Sequence, residues 1–149
     1  MDDSQQQYPP SAFLFTVKID GFADECSFQE VSGISFSIKT EELAEGGENR
    51  FKHKLPKEVS YPNIVLKRGL QLNSPLLLNW IKGAAEQFTF EPKTVVVSII
   101  DSASKPLLSW NFVNAYPVAW KLNDLKAAES AYAIETLELA YNYFSVVTT

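Results

Sequence analysis

Two-residue alternation of apolar side chains is the strongest limit on what this chain can fold into. Phe13, Phe15, Val17 and Ile19 alternate with Leu14, Thr16 and Lys18. Ile34, Phe36 and Ile38 alternate with Ser35, Ser37 and Lys39. A period of two places each set on one face of a strand, whereas a helix would scatter both around its surface. The reading predicts strands over Ala12–Asp20, Ser27–Val31 and Ile34–Ile38, with turns at Asp20-Gly21 and Ser32-Gly33. The first forty residues therefore read as a β-meander, the last strand half-buried. Thr94–Ile100 (TVVVSII) is β-branched and reads as a buried strand. Asp101–Pro106 reads as a hairpin connection. Leu107–Asn114 returns with Leu108, Trp110 and Phe112 on one face, Tyr116-Pro117 forms a turn or bulge, and Val118–Leu122 is a further short strand.

One segment breaks the pattern. Asn73-Ser74-Pro75 is a helix start, and Leu76, Leu77, Trp80, Ile81 and Ala84 fall at helical spacing to about Glu86. Asn123–Ala128 is a polar connection with room for one helical turn. Ala131–Val147 supports two readings, because good helix formers coexist with alternation of Glu135, Leu137, Leu139, Tyr141 and Tyr143. The 149 residues fit one domain, with residues 1–11 a flexible lead-in. Apolar residues at 46% suffice for a core, and aromatics at 13% lean toward β structure. The net charge of −5 disfavours sequence-specific or general nucleic-acid binding. The acidic, polar start lacks the basic and apolar regions of a signal peptide, so synthesis in the cytoplasm without Sec-type export is expected. No run approaches the roughly 20 apolar residues of a membrane span, so direct membrane insertion is not expected.

The stretch Glu41–Gly69 stands apart. Glu41, Glu42, Glu45 and Glu48 are followed by Arg50, Lys52, Lys54 and Lys57, with Gly46-Gly47 at the tip. A domain rarely carries about twenty polar loop residues without a use. The stretch reads as a strand to Leu43, a return strand with Phe51 and Leu55 as apolar contacts, and a further strand at Asn63–Lys67. That makes it a long protruding hairpin loop. Acids followed by bases suit head-to-tail contact between identical copies.

Chemistry has little to stand on. His53 is the single histidine, and no G-x-S-x-G surrounds any serine. Cys26 is the single cysteine, with Asp24-Glu25 beside it, surroundings that discourage a thiolate. One His and one Cys make no zinc site, and the four hairpin acids lack the spacing of a calcium loop. No phosphate-binding glycine motif surrounds Gly46-Gly47. The expectation is no catalytic residue, no metal and no cofactor.

Several motifs in order resemble the tail tube proteins of contractile phages and contractile injection systems, which are similar also to the type VI secretion tube protein. Phe28-Gln29-Glu30-Val31-Ser32-Gly33-Ile34 looks like F-x-E-V-S-G-[LI]. Glu45-Gly46-Gly47 resembles the tip of the family's long loop. Leu55-Pro56 followed by Asn63–Gly69 resembles L-P…N-[IV]-x-L-[KR]-[KR]-G, and Leu76–Ile81 matches the place of L-x-x-W-[IL]. Trp110–Pro117 resembles W-x-[FV]-x-[ND]-A-[FWY]-P, and Ala133–Ala140 the closing I-E-x-[LI]-x-[LI] stretch. Lys57 departs from the glycine that family members often carry after Leu-Pro.

The resemblance implies a mainly β, antiparallel barrel or sandwich with one α-helix and a long protruding hairpin. It decides the ambiguous last segment in favour of strand. It implies homo-hexameric rings stacked into a hollow tube that delivers cargo or DNA. The implied partners are copies of itself, a contractile sheath, baseplate and spike proteins, and luminal cargo, in a phage tail or a released particle. Two other readings stand beside it: a tube initiator or adaptor ring at the baseplate, and a small-ligand-binding β-barrel. The expected interface is Glu41, Glu42, Glu45, Gly46, Gly47, Glu48, Arg50, Lys52, Lys54 and Lys57. Reversing charge at Glu41, Glu42 and Glu45 together is expected to weaken ring stacking more than monomer folding. Sedimentation set beside thermal melting checks this; equal loss in both would contradict it.

Overall fold

The computed structural model describes residues 14–22, 27–44, 46–47, 50–127 and 133–148. The lead-in, Phe13, Cys26, Glu45 and Glu48 lie outside them. Nine strands and one helix follow in order: β1 (Leu14–Ile19), β2 (Glu30–Ser32), β3 (Ser37–Leu43), β4 (His53–Ser60), β5 (Ile64–Gly69), α1 (Pro75–Glu86), β6 (Lys93–Ile100), β7 (Pro106–Leu122), β8 (Ile134–Ala140) and β9 (Tyr143–Thr148).

All pairings are antiparallel, and β7 organises them. Its first part, to Ala115, lies between β6 and β9, with β1 beyond β6. Its last part, from Tyr116, pairs with β8, followed by β5 and then β2. One 17-residue strand thus runs through both layers. The separate strands expected at Leu107–Asn114 and Val118–Leu122 are this single strand. Two irregularities let it turn the corner. Lys93 pairs with Ala115 but Val95 with Phe112, leaving an extra residue on β7 where Asn114 adopts φ 56°. Asn tolerates that left-handed conformation better than most residues. Pro117 pairs with Leu139 and Ala119 with Glu138, so Val118 is a second extra residue. Such bulges bend a strand and raise its twist.

The last segment is strand, as the resemblance implied. β8 and β9 both run antiparallel along β7, and the Asn142 amide donates to the Val113 carbonyl across the gap between them at 2.9 Å. The β-meander is overturned: β1 pairs with β6, β2 with β5, and β3 with β4. Local alternation identifies strands but carries no information about partners distant in sequence. Residues 123–127 form no helical turn.

The core draws Val17, Ile19, Val95, Val97 and Phe112 from one sheet and Ile64, Leu66, Leu137 and Leu139 from the other. On β1, β5 and β8 the buried residues recur at every second position, as strand geometry requires. Helix α1 adds Leu77, Trp80 and Ile81. Trp80 packs on Phe22 at 5.6 Å and donates its indole N–H to the Glu91 carbonyl at 2.7 Å. Phe112, Ile64, Leu137 and Leu139 are fully enclosed. The chamber that a ligand-binding barrel would need is therefore filled with side chains.

Tyr141 ends β8's buried face and packs edge-on against Phe112 at 4.9 Å. Its hydroxyl is buried and finds no hydrogen-bond partner among the described residues. Burial, and then the neighbouring Tyr61, raise its pKa above the ordinary tyrosine value. The folded state thus holds this proton longer than the unfolded chain does. Its contribution to stability is complete below the unfolded pKa of about 10 and is lost as pH rises through the folded value. Tyr141→Phe is expected to remove that alkaline loss and to leave stability at pH 7 unchanged or slightly higher. Urea unfolding at pH 7 and above pH 10 checks both.

Candidate assembly surface

Strands β3 and β4 form their own two-stranded sheet, with no further strand on either side among the described residues. Every residue of β3, and of β4 as far as Val59, is exposed. The expected half-buried strand is corrected here: Phe36 is 59% and Ile38 50% exposed, because the chain leaves the core after Ile34. The protruding hairpin itself is as the sequence reading has it, with β3 ending at Leu43 and the turn at Gly46-Gly47. Gly47 takes φ +96°, a backbone conformation that glycine adopts without steric cost.

The hairpin's root is held tightly. Gly33 takes φ +90°, and a Cβ on it would lie 2.5 Å from the Asn63 carbonyl oxygen. That is the physical reason for glycine at the end of the Phe28–Gly33 motif. Phe36 packs edge-on against Phe144 of β9 at 6.5 Å, and Tyr61 sits against both Phe144 and Tyr141. On β4 one residue is extra: Lys39 pairs with Glu58 and Thr40 with Pro56, leaving Lys57 as the bulge. Pro56 is tolerated because the outer edge of β4 pairs with nothing among the described residues. The φ of Lys57 is not positive, so a side chain fits there.

The register sorts the expected interface residues onto two faces. Ile38 with Val59, Thr40 with Pro56, and Glu42 with Lys54 share one. Lys39 with Glu58, Glu41 with Leu55, and Leu43 with His53 share the other. Glu42 and Lys52 form an ion pair at 3.7 Å, and Lys39 and Glu58 one at 3.0 Å. The acid-then-base layout is thus partly used inside one hairpin, since the two segments are each other's cross-strand neighbours. These pairs are well exposed, so each contributes about 0–1 kcal/mol. Arg50 is exposed at the end of the turn. Charge-based reading passed over the apolar patches: Phe36, Ile38 and Val59 near the root on one face, Leu43, Phe51 and Leu55 near the tip on the other. Alternation along β3 was the available signal, but it was taken to mean burial in the monomer.

At the end of β5 away from the hairpin's root lies a buried charged cluster. The guanidinium of Arg68 donates to Glu135 at 2.8 Å, with both side chains nearly inaccessible. The other Glu135 oxygen accepts from the Trp120 indole at 2.8 Å. Arg68 also donates to Gln71 and lies 4.9 Å over the Phe28 ring. Three strands and the Phe28 loop meet at one ion pair.

Sheet edges complete the surface. Among the described residues, β1, β2 and β9 each pair on one side only, and β7 beyond Pro117 pairs only with β8. Open edges are association-prone and are usually blunted or covered. A two-layer β body, a bent through-strand, open edges and a projecting hairpin together define a structural, self-associating module. The chain belongs to the T4-like virus tail tube protein gp19 family, whose model matches residues 11–145. A chain in the cryo-EM structure of the anti-feeding prophage tube-terminating cap is similar, at 27% identity and TM-score 0.82, covering 99% of this chain and 97% of that one. So is a chain in the sheath–tube complex of an extracellular contractile injection system, PVC, in its extended state. That match has 25% identity and TM-score 0.80, over 100% and 99% of the two chains. Hcp1 from Flavobacterium johnsoniae shares the fold at 20% identity and TM-score 0.57, over 92% and 97%. A comparison with functionally curated proteins finds no match.

Removing one member of the buried pair leaves the other charge uncompensated. Glu135→Ala is expected to lower unfolding free energy by about 3–5 kcal/mol, and Arg68→Met combined with Glu135→Leu by much less. Denaturant unfolding of the single and double variants measures the difference.

Proposed function

We propose that this tail tube protein acts without catalysis, by forming homo-hexameric rings that stack into the hollow inner tube of a contractile particle. The observation that carries this reading is the β3–β4 hairpin, a well-formed two-stranded sheet whose edges and apolar patches are uncovered in the single chain. A rotation that brings one open edge against a neighbour repeats that contact around a closed ring and leaves no copy of that edge uncovered. Glu41, Glu42, Glu45, Gly46, Gly47, Glu48, Arg50, Lys52, Lys54 and Lys57 then lie at contacts between copies. Similar chains come from a sheath–tube complex, a tube-terminating cap and a baseplate. They support a sheath and a baseplate as partners; spike proteins, luminal cargo and assembly in a phage tail or released particle belong to the same proposal.

Lys57 supports a second reading, a tube initiator or adaptor ring at the baseplate. It places a charged bulge on the hairpin where the family often has glycine. Polymerisation separates the two. Electron microscopy of the purified full chain at high concentration is expected to show rings and, for the main tube subunit, tubes. An initiator gives single rings that do not elongate. A protein that stays monomeric even with its baseplate present overturns both.

A further inference from the structure

An open groove of about 380 Å³ runs between α1 and the last part of β7, lined by Ile81, Ala84, Phe88, Tyr116 and Trp120 among others. Phe88 is 82% exposed and takes φ 51°. A bulky aromatic in the left-handed region is a rare, strained arrangement, and such strain gathers at functional surfaces. The turn that imposes it is specific: the amides of Gln87 and Thr89 both donate to the Gly83 carbonyl, at 3.3 and 2.9 Å. Phe88 stacks edge-on against Phe90 at 4.9 Å, and Phe90 against Tyr116 at 5.4 Å. The result is an aromatic wall beside a stretch of β7 whose outer edge is unpaired among the described residues.

We propose that this groove receives the apolar tip of the β3–β4 hairpin, Leu43, Phe51 and Leu55, from a second copy of the chain. The proposal rests on the self-assembly reading and names its contact. Three observations select this occupant. First, Leu43 and Leu55 share one hairpin face with His53, against whose ring Phe51 packs at 5.3 Å, forming a preformed apolar ridge. Second, β3 and β4 approach only each other among the described elements, so a chain's own hairpin does not fill its own groove. Third, the charges are complementary. Helix α1 ends at the groove with Glu86 and no basic residue in its last turn, so the negative end of its dipole is unopposed. The bulged Lys57, two residues from Leu55 on β4, has no ion-pair partner among the described residues. A projection meeting a recess elsewhere on the same chain is a heterologous contact, which generates rings or stacks.

Cross-linking in a full chain carrying Cys26→Ser tests this. Leu55→Cys combined with Ala84→Cys is expected to give a ladder of disulfide-linked oligomers on mild oxidation, and neither single cysteine a ladder. Leu55→Asp should weaken assembly about tenfold or more, with an unchanged melting temperature. Phe88→Gly relieves the strained backbone, so it should leave melting unchanged or raised while assembly falls. Rings or tubes that form normally but give no ladder overturn the proposed contact and leave self-assembly standing, as do Leu55→Asp and Phe88→Gly variants that assemble like the parent. A parent chain that never oligomerises overturns both.

Discussion

The buried pair of Arg68 and Glu135 is the interaction on which the body of this protein depends. They face each other across β5 and β8, and Trp120 on β7 closes the same carboxylate from the other side. Two buried charges tolerate no slip. A slip of either strand by one residue would turn its member of the pair to the opposite face, leave the other charge buried alone and bring that strand's apolar residues out of the core. The pair therefore specifies register across three strands, whatever its net contribution to stability. It also explains why widely separated motifs occur together. Phe28 from the first motif covers the guanidinium, Arg68 ends the Asn63–Gly69 motif, and Glu135 opens the closing one.

Upon that fixed body the hairpin is built differently. The body is enclosed and aromatic, with Phe112, Tyr141 and Phe144 packed together. The hairpin is two strands wide and exposed on both faces. Isolated hairpins are marginal in water. Here the root is clamped by Gly33 against Asn63 and by Phe36 against Phe144, while the tip awaits cover. The same sequence thus holds one part whose apolar residues fold the monomer and another whose apolar residues stay exposed in the single chain. A tail tube needs both, since its wall is made of many identical chains.

The reading of individual elements from sequence went far. Alternation located β1, β6 and the run through Phe112; the Ser74-Pro75 start and helical spacing located α1; Gly46-Gly47 located the hairpin turn. Two elements resisted. Residues 131–147 were ambiguous locally, because Ala, Leu and Glu favour helix while their alternation and the tyrosines favour strand; only pairing along β7 distinguishes them. Phe36 and Ile38 looked half-buried because alternation reports that one face is apolar and not what will cover it. For the same reason the charges of the hairpin were legible in the sequence, while the exposure of Leu43 and the groove beside Phe88 were not. The positive φ of Phe88 has no signature in a residue type that normally avoids it.

Sequence alone determined that this chain is mainly β with one helix, that it carries a projecting charged hairpin, and that it resembles tail tube proteins. Those properties follow from local periodicity, turn residues and ordered motifs, all of which are written within short windows. Tertiary structure decided which strands are neighbours, that β7 serves both sheets, that Arg68 meets Glu135, and that Glu42 pairs with Lys52 inside one hairpin. These depend on contacts between residues far apart in the chain, sometimes by 67 positions. Side-chain burial and backbone hydrogen bonding select such contacts cooperatively, and no local window contains both partners.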